Sequence, residues 1–118
     1  MRYTWRVMMT REEQEATLTR WANGVAEELD ERERPELASV FRALARRDAD
    51  AARESVSLFP PVMLTALREM LELERGDRLA AEQERSVEIL DWLIDLVVET
   101  EDKHATVDLD PSAVGPIQ

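Results

Sequence analysis

The chain has 118 residues, with 15 Lys plus Arg against 26 Asp plus Glu for a formal net charge of -11, and it contains one His and no Cys. That length sustains one domain with a real core, and the missing cysteines exclude disulfides, thiolate nucleophiles and cysteine-based zinc clusters. Ala, Glu, Leu and Arg fill 59 of the 118 positions while Gly and Pro together fill eight, which favours long helices and excludes a turn-rich all-β fold.

Residues 1–9 read as an extended segment, a strand or a leader, because Tyr3, Trp5 and Val7 alternate with Arg2, Thr4 and Arg6 in the period of a half-buried strand. Thr10 and Glu13 then have the spacing of a capping box, so a helix is expected from Arg11 to about Arg32. Its apolar face is Leu18, Trp21, Ala22, Val25, Ala26 and Leu29, with a weak point or kink at Asn23-Gly24. Pro35 suits the first position of a second helix that turns Leu37, Val40, Phe41 and Leu44 inward. Asp48 or Asp50 caps a short third helix carrying Ala52, Val56 and Phe59, and Pro60-Pro61 stops it.

A fourth helix is expected from Pro61 to Gly76, carrying Val62, Met63, Ala66, Leu67, Met70 and Leu71. Gly76 would close it in the left-handed conformation and Asp77 would cap a fifth helix from Arg78 to about Thr100. The helical domain is thus placed at residues 10–102. The tail, 103–118, lacks periodicity and carries two prolines, so it reads as extended or disordered.

The fifth helix combines a narrow acidic stripe, Glu84, Glu88, Asp91, Asp95 and Glu99, with apolar residues around the rest of its circumference. Such a helix has to be covered on most sides. A homodimer interface is therefore expected at Ile89, Trp92, Leu93, Leu96 and Val97, with Trp92 as its anchor. A basic group, Arg42, Arg46, Arg47 and Arg53, is the second candidate surface, for an anion or an acidic partner, or for ion pairs within the fold.

Catalytic groups are scarce. His104 stands alone in the acidic tail, no serine sits in a nucleophile elbow, and Gly24, Gly76 and Gly115 are too isolated to cradle a phosphate. Carboxylates remain. Glu27-Glu28-x-x-Glu31 and Glu88-x-x-Asp91 resemble the paired motifs of the all-α nucleoside triphosphate pyrophosphohydrolases of the MazG type. That resemblance implies magnesium held by Glu27, Glu28, Glu31, Glu88 and Asp91. The alternating N-terminal segment followed by Thr-Arg-Glu-Glu resembles the start of ribbon-helix-helix proteins, which implies DNA contacts from Arg2, Thr4 and Arg6.

The sequence is therefore expected to form an all-α bundle of four or five helices behind a short extended segment. Its expected role is that of an acidic, cytoplasmic, non-catalytic regulator or adaptor. It is expected to work as a homodimer through helical interfaces, with no cofactor, no metal and no membrane partner. DNA binding and pyrophosphohydrolysis are the alternatives.

Overall fold

In the computed structural model, residues 9–109 are described. They form five helices, α1 (Arg11–Glu31), α2 (Pro35–Arg46), α3 (Ala49–Ser57), α4 (Pro61–Ala80) and α5 (Glu84–Leu109), and no strand occurs among them. The alternating segment that carries Arg2, Thr4 and Arg6 lies outside the described residues. None of the described helices is long and apolar enough to cross a membrane.

Local chemistry sets most boundaries. The Thr10 hydroxyl accepts from the Glu13 amide at 3.1 Å while the Glu13 carboxylate accepts from the Thr10 amide at 2.8 Å, a complete capping box. Asp48, rather than Asp50, caps α3 by accepting from the Ala51 amide. Pro35 and Pro61 each open a helix, where a missing amide hydrogen leaves nothing unpaired.

As expected, α1 is one helix through Asn23-Gly24 to Glu31, and its buried face of Leu18, Ala22, Ala26 and Leu29 continues across that pair. Two expectations need correction. First, α4 does not stop at Gly76; it continues to Ala80, and α5 begins at Glu84 rather than Arg78. A helical glycine costs about 1 kcal/mol, which the burial and pairing of Arg78 one turn beyond Glu74 can offset. Second, residues 103–109 are helical. The Glu101 carboxylate accepts from Arg68 at 2.8 Å and Thr65 at 3.2 Å, anchoring this end of α5 to the start of α4.

The fold is two antiparallel hairpins, α1–α2 and α4–α5, joined by α3, which packs on α2 and α5; α1 also touches α5. One core unites them. Leu18, Ala22 and Ala26 of α1, Val40, Phe41 and Leu44 of α2, Leu64, Leu67 and Leu71 of α4 and Leu90, Leu93 and Val97 of α5 belong to a single buried cluster. On α4 the inward residues are Leu64, Leu67 and Leu71, so Val62 and Ala66 face outward.

α1, α2 and α4 end alike. At each, one amide reaches back five residues and the preceding amide reaches back three, a Schellman arrangement around Glu33, Arg47 or Glu82 with φ of 59, 56 and 60°. These are left-handed positions occupied by charged residues, whereas Gly24 and Gly76 lie inside helices. Left-handed geometry disfavours an L residue by about 1 kcal/mol. Glu33→Gly is therefore expected to raise stability by up to about 1 kcal/mol in urea titration. Arg47→Gly is expected to lower it, since it also removes the side-chain bonds described next.

Candidate functional site

The turn between α2 and α3 meets the first turns of α1 and α5, and an arginine from each side defines the junction. Arg47 donates to the Leu44 carbonyl at 2.7 Å and to the Glu15 carbonyl at 2.9 Å, tying the end of α2 to α1. Its Nε is buried without a partner, and burial pulls the guanidinium pKa below its ordinary value. Arg85 donates to Glu15 at 2.6 Å and to Glu88 at 3.1 Å, and these bonds raise its pKa. Arg11 approaches Glu88 at 3.6 Å.

Beneath these charges lies a polar network that sequence periodicity does not reveal. The buried Gln14 side chain accepts from the Arg85 amide at 2.7 Å and donates to the Met9 carbonyl at 3.1 Å. The Ser86 hydroxyl lies 3.3 Å from the Gln14 carbonyl and 3.2 Å from Gln83 Oε1. Gln83 in turn accepts from Arg78 at 2.9 Å, and Arg78 donates to Glu74 at 2.6 Å. The start of α1, the end of α4 and the start of α5 are thereby locked together.

Above the lock opens a cleft of about 220 Å³ lined by Leu44, Arg47, Ala49, Arg85, Glu88, Ile89 and Trp92. Trp92 forms its edge and is 36% exposed, an unusual position for the largest apolar side chain. The remaining predicted interface residues divide. Ile89, Leu93 and Val97 are buried in the chain's own core, and Leu96 is half-buried beside Trp92. The expectation that these three form an intersubunit surface is corrected accordingly, because α4 and the α1–α3 side already cover them.

The basic group does not converge either. Arg42 pairs with Asp30 of α1, which raises its pKa, and Arg46 approaches Asp48 at 3.8 Å. Arg53 is exposed and makes no ion pair among the described residues.

The five carboxylates of the pyrophosphohydrolase resemblance are separated. Asp91 pairs with Arg75 of α4, whereas Glu88 is engaged by Arg85 and by Arg11 at the start of α1. Glu27, Glu28 and Glu31 are exposed more than four turns further along α1, about 24 Å or more from Arg11 at 1.5 Å per residue. Among the described residues no group of three or more Asp, Glu or His is placed to hold a metal ion. The chain matches no model of a known protein family, no curated protein and no solved structure.

The Glu15 carboxyl is held below its ordinary value of 4.5, chiefly by the Arg85 hydrogen bond, which burial opposes and the charges of Arg85, Arg47 and Arg11 reinforce. A depressed folded-state pKa contributes stability that is present above the unfolded value and lost as pH falls through the folded one. Urea titrations from pH 7 downward are expected to show a constant gap between wild type and Glu15→Gln until the pH nears 4.5, and then a shrinking one. A gap independent of pH would sink this assignment.

Proposed function

We propose that this protein is a non-catalytic helical adaptor that binds another protein at the cleft beside Trp92. The observation that carries the reading is Trp92 itself. It stands a third exposed at the mouth of a cleft with an apolar floor of Leu44, Ala49 and Ile89 and a charged rim of Arg47, Arg85 and Glu88. A partly buried tryptophan next to a pocket is the arrangement in which one side chain concentrates binding energy, and a charged rim sets orientation.

Rigidity supports the same reading. Arg47 and Arg85 are fixed by their bonds to α1, so the rim is formed before any partner arrives. The experiment is affinity isolation with the full chain, followed by titration of the purified partner against wild type and Trp92→Ala. The variant is expected to bind at least about 10-fold more weakly while keeping its helical circular dichroism. Equal affinity would remove Trp92 from the interface. Self-association is measured in parallel by sedimentation: a dimer that Trp92→Ala dissociates would assign the cleft to a second copy.

A further inference from the structure

The outward face of α4 carries a pattern that the core does not use. Val62, Ala66, Glu69, Leu73, Gly76 and Ala80 follow one another in steps of four, three, four, three and four, and all six are exposed. This is the spacing of a coiled-coil seam, directed away from the chain's own core. Val62 is 77% and Leu73 is 73% exposed. At Gly76 a Cβ would meet nothing within 4 Å and φ is not positive, so neither packing nor backbone geometry in this chain explains the glycine. A small residue on a helix surface lets a second helix approach closely.

The exposed residues of α4 include three carboxylates, Glu69 within the seam and Glu72 and Asp77 beside it, and no cation. Glu69 and Asp77 make no ion pair among the described residues, while Arg68 is engaged by Glu101 and, at 3.3 Å, by Glu72, Arg75 by Asp91 and Arg78 by Glu74. The antiparallel register set by Arg75–Asp91 and Arg68–Glu101 brings Val98 of α5 level with Glu69, and Val98 is partly exposed. Asp95, one turn away on α5, is exposed as well.

We propose that this face of α4 docks an amphipathic helix of another protein whose apolar stripe is flanked by Lys or Arg. Apolar anchors fit beside Val62 and Leu73, the partner backbone passes over Ala66, Gly76 and Ala80, and its cations meet Glu69 and Asp77. A second copy fits poorly. A second copy brings the same exposed carboxylates and no exposed cation from α4, since Arg68, Arg75 and Arg78 are engaged within the chain. The site is distinct from the cleft at Trp92 and does not depend on it.

The test uses the full chain and a synthetic three-heptad peptide with Leu at the two seam positions and Lys at the flanking ones, beside a counterpart with Glu at the flanks. Fluorescence anisotropy is expected to show binding of the Lys peptide that weakens with salt, and at least about 10-fold weaker binding of the Glu peptide. Leu73→Gln and Gly76→Leu are each expected to weaken the Lys peptide about 10-fold, and Trp92→Ala to leave it unchanged. Gly76→Leu is expected to keep or raise the Tm, because leucine is the better helix former and its Cβ meets open space. This separates loss of docking from loss of fold. No binding, or Lys-peptide binding indifferent to Leu73→Gln and Gly76→Leu, overturns the proposal. So does a dimer of the free chain that Leu73→Gln dissociates, which would make the occupant a second copy.

Discussion

Phe41→Ala is expected to lower unfolding stability by about 3–5 kcal/mol, the range for removing a fully buried aromatic. Phe41 is wholly inaccessible and meets Trp21 of α1 edge to face, with ring centroids 5.5 Å apart and planes at 76°. The pair joins α1 to α2 within the first hairpin, so truncation removes transfer energy, leaves a cavity and forfeits an aromatic contact of about 1 kcal/mol. Domains are stable by only about 5–15 kcal/mol, so the variant should be marginal. Phe41→Leu, which keeps most of the volume, is expected to lose less than about 2 kcal/mol. Urea midpoints measure both; equal losses from the two variants would mean that the cavity does not decide the effect.

Glu74→Leu is expected to destabilise by about 3 kcal/mol or more, although its side chain lies on one turn of one helix. Exposed i,i+4 pairs contribute only tenths of a kcal/mol. This pair differs because the Arg78 and Glu74 side chains are 8% and 16% exposed. Losing the carboxylate leaves a guanidinium held only by Gln83 in a poorly hydrated place. The double variant Glu74→Leu with Arg78→Leu is expected to be more stable than Glu74→Leu alone, since no unpaired charge remains. If the two single losses simply add in urea titration, the pair is not coupled and this account of the α4 terminus fails.

The helical class, five helices and the starts of α1, α2 and α4 were legible because they rest on local chemistry. A capping box and two prolines act within one turn. The end of α4 was illegible for the opposite reason. Gly76 followed by Asp77 has the local form of a stop and a cap, yet the helix is decided by Arg78, whose partners Glu74 and Gln83 matter only once the chain is folded. The far end of α5 is similar, since Glu101 is held by Arg68, 33 residues earlier.

The candidate site was legible in part. Trp92 and Arg47 stood out as residue types, and both line the cleft. Gln14, Arg85 and Ser86 gave no signal, because a polar residue on a helix reads as solvated until a second helix buries it. Asking which polar residues fall in phase with an apolar face would have found Gln14, four positions before Leu18. Ile89, Leu93 and Val97 were placed on the wrong side of the interface, since helical phase identifies an apolar face and not what covers it.

The connections between helices are residues 32–34, 47–48, 58–60 and 81–83, none longer than three residues. Among the described residues there is thus no loop that could close over a ligand. A partner bound as proposed, at the described residues, would meet surfaces that exist beforehand on helices. Association on such surfaces forfeits little chain entropy on this protein's side, and its rate is set by encounter rather than rearrangement. Differences in affinity among partners should then appear as differences in residence time, from milliseconds upward, with similar rates of arrival.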